Sequence, residues 1–367
     1  MPPPIPQAEP NRTPRARYNY HFLSRLTKLL NDDGECDLSE QLQKYKSSRL
    51  QALRGSATPP SIPIEPAKAP EPCISEPAGE LSIVIPLSPQ IETLLKIPHG
   101  KQPHEELSTT FFSFLRKGDI LHRGIHDSRW VIKISEDIIV KCGPNVDVRE
   151  IQTLNYLSPF KKQILCPEPH GAISVGRWTY LFMSYIAGTP LSKPWPALSP
   201  SQKTSVQRQL DTVFKCLRSI PAQSELFGSG TPPRCKDLRT SLRIADKPIS
   251  NEEEFNSFLV HTNRERNPIY LNLISSGLSI NHRAVMTHSD LHPGNLLARL
   301  DYNGGIEVTG IIDWEMSGFY PEYWEYIKAH SYVHYDVSDW YSYLPTDAIG
   351  NYGDEWRRDC LVTRLTM

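Results

Sequence analysis

The chain has 367 residues, of which 22% are charged and 39% apolar, and its formal net charge is -1. That length suits two or three lobes with a sizeable core, and the near-neutral balance gives no sign of a nucleic-acid or polyanion binder. No apolar run approaches the roughly 18–20 residues that a bilayer span requires, so no membrane partner is expected.

Four prolines precede Glu9 and no apolar segment accompanies them, so a secretory signal is not expected. From Tyr20 to Leu30 the residues Phe22, Leu23, Leu26, Leu29 and Leu30 recur at helical spacing. Arg12, Arg15, Arg17, Arg25 and Lys28 make this region basic. It reads as a helix packing on the main domain or on a partner, with a mitochondrial presequence as the alternative. A second helix is expected from Asp37, which has capping-box spacing to Glu40. Leu38, Leu42, Tyr45 and Leu53 give it an apolar side, and Gly55 a stop. Of 33 prolines, 16 fall in the first 100 residues, most densely from Thr58 to Pro77. Proline fixes φ and removes backbone donors, which predicts a semi-extended linker there. Residues 1–106 are therefore expected to form a largely flexible extension, with a protein partner as one expectation for it.

The seven cysteines are scattered and odd in number, with no Cys-x-x-Cys spacing. Neither a disulfide framework nor a zinc site is expected, and reduced thiols point to the cytoplasm.

The folded core is predicted to begin near Leu107. Trp130–Ile134 and Ile138–Cys142 flank Ser135-Glu136-Asp137 as a hairpin. Val148 to Leu157 reads as a helix, and Tyr180 to Ile186 as a buried strand stopped at Gly188. Ser199 to Ile220 carries the stripe Val206, Leu210, Val213, Phe214 and Leu217 of a helix. Glu252 to Ser275 is helical but interrupted at Pro268. Ala284–Met286 and Gly310–Ile312 are short apolar segments, each followed at once by polar residues.

Three groups of residues carry chemistry. In His288-Ser289-Asp290-Leu291-His292-Pro293-Gly294-Asn295, an Asp and an Asn five apart on a tight loop can converge on one substrate and one metal. The Asp can accept a proton from an attacking hydroxyl, and the Asn oxygen can ligate Mg²⁺, which prefers oxygen ligands. Asp-x-x-x-x-Asn alone is a weak signal; the His two residues before the Asp and the flanking apolar strands sharpen it. In the second group, Ile311-Ile312-Asp313-Trp314, the Asp stands at a strand end. A hairpin through Asp301 to Gly305 would bring Asp313 beside Asn295, although such an Asp can also be a mere turn former. The third group is Lys141, on the second strand of the first hairpin, with Glu150 on the helix that follows. A lysine held by a carboxylate can bind nucleotide phosphates, whereas the plain alternative is a surface ion pair. Lys133 is the other candidate lysine.

Taken in order, Asp137–Lys141, Val148-Arg-Glu150, Met183–Gly188, Thr287–Asn295 and Ile312-Asp-Trp-Glu315 resemble the fungal branch of the aminoglycoside phosphotransferase family, within the protein-kinase-like superfamily. The resemblance covers Leu107 to the C-terminus. It implies an α+β bilobal fold, with a β-rich N-lobe over 107–188 and a mainly helical C-lobe over 189–367. It also implies ATP and Mg²⁺ as cofactors and a small-molecule hydroxyl as acceptor. By that resemblance Asp290 is the catalytic base, Asn295 and Asp313 bind Mg²⁺, and Lys141, oriented by Glu150, holds ATP phosphates. The hinge Met183 to Ile186, including Tyr185, offers backbone groups to adenine. His288 braces its loop, and Glu315 could face the acceptor. There is no Gly-x-Gly-x-x-Gly before Lys141; the equivalent stretch is Gly124–Trp130, in which Ser128 is the candidate phosphate cap. The aromatic run Tyr320, Tyr323, Trp324 and Tyr326 reads as core. An inactive pseudokinase scaffold and an atypical protein kinase are the rival readings.

Overall fold

A computed structural model describes residues 77–96, 105–124, 129–222, 224–239, 241–262, 266–331 and 339–366. The two helices expected before Gly55, the linker before Pro77, and Ser128 lie outside the described residues.

The first lobe comprises β1 (Leu81–Ile85), α1 (Pro89–Leu94), α2 (Glu105–Lys117), β2 (Asp119–Arg123), β3 (Trp130–Lys133), β4 (Ile138–Gly143), α3 (Arg149–Leu157), α4 (Lys161–Ile164), β5 (Pro169–Val175) and β6 (Trp178–Ser184). Its six strands form one antiparallel sheet in the order β1-β5-β6-β4-β3-β2. Alternation along the strands sorts their side chains between two cores. Trp130, Ile132, Ile138, Val140, Tyr180 and Phe182 face α1 and α2, where Phe111 and Phe112 are buried. Leu181 and Met183 face the other way, onto Ile151 and Leu154 of α3.

The second lobe comprises β7 (Thr189–Pro190), α5 (Pro200–Ser219), β8 (Lys236–Leu238), β9 (Leu242–Ile244), α6 (Glu252–Val260), α7 (Pro268–Ser275), β10 (Ala284–Thr287), β11 (Leu296–Leu300), β12 (Ile306–Ile311), β13 (Gly318–Pro321), α8 (Trp324–Ser331), α9 (Thr346–Ile349) and α10 (Gly353–Thr366). α5 begins with a reciprocal capping box, Ser199 with Gln202, and with Pro200 in its first turn. Its apolar stripe joins the same core as α3, so the two lobes share buried contacts. β11 and β12 form the expected hairpin, whose turn is tied by Asp301 Oδ1 accepting the N–H groups of Asn303 (2.8 Å) and Gly305 (2.7 Å). Pro268 opens α7, so the interrupted helical pattern is two helices. At Gly318 a Cβ would stand 2.6 Å from the Gly228 backbone, and Gly228 has φ +91. Only glycines allow this approach, which pins residues 227–229 onto β13 through two backbone hydrogen bonds of 2.7 and 2.9 Å.

The structure corrects the reading in two places. The lobe begins near Leu81, not Leu107: β1 pairs with β5, and Ile91 and Leu95 are buried in the sheet core. The prolines around β1 masked a five-residue strand with too little alternation to detect. The strand expected from Tyr180 to Ile186 ends at Ser184. Tyr185 N–H makes a last bond along this ladder, to Asp137 O (2.7 Å), where β4 gives way to the β3–β4 turn. Tyr320, Tyr323 and Trp324 are buried as core. No helix among the described residues is long and apolar enough to cross a membrane. Cys142, Cys166, Cys216, Cys235 and Cys360 are free thiols.

Candidate active site

Lys141 lies on the face of β4 opposite α1 and α2, and Glu150 stands in the first turn of α3. The short connection between them puts Lys141 Nζ 2.6 Å from Glu150 Oε2. Both side chains are almost wholly buried, at 5% and 1% exposure, so this is not the surface pair that the spacing also allowed. The same ammonium lies 2.5 Å from Asp313 Oδ1 and 3.2 Å from Glu315 Oε2. Glu150 is doubly used, since its Oε1 accepts the N–H of Trp314 at 3.1 Å. One carboxylate thereby ties α3 to the loop that carries Asp313.

Asp313 follows β12 in the left-handed region, with φ 66 and ψ 61. Asp tolerates this conformation better than most residues, and the turn projects the carboxylate out of the sheet end. Burial acts to raise its pKa, but the charge and hydrogen bond of Lys141, with Arg129 behind them, outweigh that and lower it to about 2. Burial likewise opposes the charge on Lys141, yet Asp313, Glu150 and Glu315 together hold its pKa above the ordinary value. The pair is therefore ionised at neutral pH.

Arg129 completes the cluster: its Nη2 lies 2.9 and 2.8 Å from the two oxygens of Glu315, and its Nη1 3.6 Å from Asp313. Glu315 thus turns toward these cations. From the second lobe, the buried Lys236 donates to the Glu315 backbone oxygen (2.6 Å) and pairs with Asp147 (2.9 Å) just before α3.

Asp290 and Asn295 form the other half of the site. Asn295 Nδ2 donates to the Asp290 backbone oxygen (3.0 Å) and to Asp290 Oδ2 (2.8 Å). His292 Nε2 lies 3.7 Å from the same carboxylate oxygen. The two halves meet through the backbone, where Ile312 N–H donates to Asn295 O at 2.9 Å. They also meet through His288, which is fully buried. Its Nε2 bonds Ile312 O (3.1 Å), its Nδ1 accepts from Asp290 N–H (3.3 Å), and its ring packs edge-on against Trp314. Burial lowers its pKa, so the ring is neutral with Nε2 protonated, as a brace requires. Glu325 of α8 lies beneath this loop, accepting from the N–H groups of His288 and Ser289.

The donor set suits a hard cation. Oxygens of Glu150, Asp313 and Glu315 all lie within 4.8 Å of one another. Because Asn295 Nδ2 is committed to Asp290, a metal held by Asn295 would take Oδ1. All-oxygen donors are what Mg²⁺ requires.

The hinge is less open than the sequence suggests. Tyr185 N–H is already spent on Asp137, and its ring lies under the Lys133 ammonium at 4.5 Å. Lys133 pairs with Glu136 (2.9 Å) and not with the cluster, so of the two candidate lysines it is Lys141 that is buried among the carboxylates. Met183 is paired within the sheet to Ile139, and Ile186 lies against Gly310 of β12.

Sequence reasoning missed Arg129, Lys236 and Glu325. Arg129 lies within the Gly124–Trp130 stretch, but a single arginine there has no local signature. The two others act from elements more than 35 residues from the groups they hold.

Among curated proteins none matches the chain by sequence. Solved structures give distant likenesses. The GDP complex of an aminoglycoside 2'-phosphotransferase-IIIa is 14% identical, with 75% of this chain and 88% of that one covered at a TM-score of 0.45. An aminoglycoside-3'-phosphotransferase of type VIII is 15% identical over 68% and 92%, at 0.42. A protein described as a fructosamine-3-kinase from Haemophilus somnus 129PT is 12% identical over 74% and 86%, at 0.45. The sequence profile of the phosphotransferase enzyme family matches residues 126–359, which hold every residue of the cluster described above, and the chain belongs to that family.

Proposed function

We propose that this protein is an ATP-dependent phosphotransferase that moves the γ-phosphoryl group to a hydroxyl of a small molecule. The observation that carries this reading is Lys141 held by Glu150 and Asp313 at 2.6 and 2.5 Å, one loop away from Asp290 and Asn295. Lys141 would bind the nucleotide phosphates, with Glu150 fixing its position. Asn295 and Asp313 would hold Mg²⁺, with Glu315 as a further oxygen donor; when bound, the ion neutralises charge on the phosphates. Asp290 would take the proton of the acceptor hydroxyl, and the Asn295 amide keeps that carboxylate oriented. Catalysis of this kind rests on positioning and charge. For adenine, Ile186 is a better candidate than Tyr185, whose N–H is engaged.

The test is a thermal shift with ATP, with and without Mg²⁺, on wild type and Asp313→Ala. Mg²⁺-dependent stabilisation that the variant loses supports the nucleotide site. No shift at millimolar ATP would overturn it in favour of a non-catalytic scaffold.

A further inference from the structure

The strand pair before Lys141 lacks the glycine-rich pattern, and the Gly124–Trp130 stretch that stands in its place carries a cation, Arg129, beside the cluster. β3 and β4 pair with Val131 opposite Lys141. Arg129 is two residues before Val131, so its side chain shares the face of Lys141 and is its diagonal neighbour. The backbone of Arg129 is held, since Gly124 N–H donates to its carbonyl at 2.7 Å. Its side chain is about a third exposed, leaving the guanidinium room to move.

That guanidinium grips the oxygens of Glu315 at 2.8 and 2.9 Å and reaches Asp313 at 3.6 Å. These carboxylates are two of the three that can converge on a metal ion. An oxygen lone pair that accepts from a guanidinium is not available to a metal, so Arg129 and a divalent cation compete for Glu315, while toward Asp313 the guanidinium is a neighbouring positive charge at 3.6 Å. Three carboxylates face two side-chain cations here, so the formal charge of the cluster is one negative. A divalent ion added without rearrangement would leave excess positive charge. A nucleotide polyphosphate supplies the compensating anion, and a guanidinium matches phosphate geometry well.

We propose that Arg129 is an exchange residue of this site: it occupies the Glu315 carboxylate beside Asp313 and frees it for the divalent ion by swinging onto the nucleotide polyphosphate. It takes the role that backbone N–H groups of a glycine loop would fill. The inference rests on the nucleotide reading given above.

The test compares wild type with Arg129→Ala and Arg129→Lys by two binding measurements. Mn²⁺ alone is titrated and read by water proton relaxation; Mg²⁺ with ATP, and AMP, are titrated by calorimetry. Arg129→Ala should bind Mn²⁺ several-fold more tightly and MgATP on the order of tenfold more weakly, the scale of a lost charge-assisted hydrogen bond. AMP affinity should not change, because AMP lacks the outer phosphates. Arg129→Lys should fall between, which also shows that the effect is not misfolding. Unchanged Mn²⁺ affinity would overturn the competition, and unchanged MgATP affinity the transfer to phosphate. If wild type binds MgATP in a way that Asp313→Ala abolishes while Arg129→Ala matches wild type, only the Arg129 inference falls. If wild type binds no nucleotide, the reading of the site falls with it.

Discussion

Glu325 supports the loop of Asp290 from below: its Oε2 accepts the His288 N–H at 2.7 Å and the Ser289 N–H at 3.2 Å. Its Oε1 is buried with no partner. Burial drives the pKa up to about 7, and the two backbone donors only partly oppose it. The folded protein therefore holds this proton more tightly than the unfolded chain, whose carboxyl titrates near 4.5. The resulting stability is complete below that value and is lost as pH rises through about 7. Denaturant unfolding of wild type and Glu325→Gln should show the stability of wild type relative to the variant falling by roughly 3 kcal/mol from pH 4.5 to 8. A flat difference would mean that the carboxyl does not titrate there.

Glu325→Ala should act differently, because it leaves two buried N–H groups unpaired. Each such group costs about 1–3 kcal/mol. Loss of stability should be accompanied by a lower kcat, as the Asp290 loop loosens, while Glu325→Gln keeps an acceptor and most of the rate. Equal rates for both variants would separate Glu325 from the positioning of Asp290.

Asp290→Asn should lower kcat on the order of 10²-fold or more, with MgATP affinity within about twofold of wild type. Rapid-quench turnover alongside calorimetry checks both parts. Near-normal turnover would remove Asp290 as the base.

Lys141→Met should weaken MgATP binding and also destabilise the protein, because Glu150, at 1% exposure, would lose its principal cation. Breaking a buried pair in this way costs roughly 3–5 kcal/mol. The accompanying Glu150→Gln change should restore stability without restoring nucleotide affinity. Restored affinity in the double variant would show that Lys141 is not a phosphate ligand.

Phe111 tests how firmly α2 is seated on the sheet of the first lobe. Its ring is fully buried, edge-on to Tyr180 with centroids 5.0 Å apart. Phe111→Ala should cost roughly 3–5 kcal/mol in chemical unfolding. A change under about 1 kcal/mol would indicate that α2 is only loosely seated on the sheet.

The sequence by itself determined what is written in neighbouring residues. The β3–β4 hairpin, α3, α5 and the Asp301–Gly305 turn follow from periodicity and turn residues over a few positions. The Lys141–Glu150 contact was legible because only a short loop separates strand from helix. Tertiary structure alone decided that Arg129 meets Glu315 across 186 positions and that Glu325 supports His288 across 37. It alone joined β1 to β5 and committed Tyr185 N–H to Asp137. A lone arginine, a buried glutamate or a short edge strand has no distinctive local pattern. Its role comes from the groups that chain topology brings against it, and with them come the burial and charge that set its chemistry.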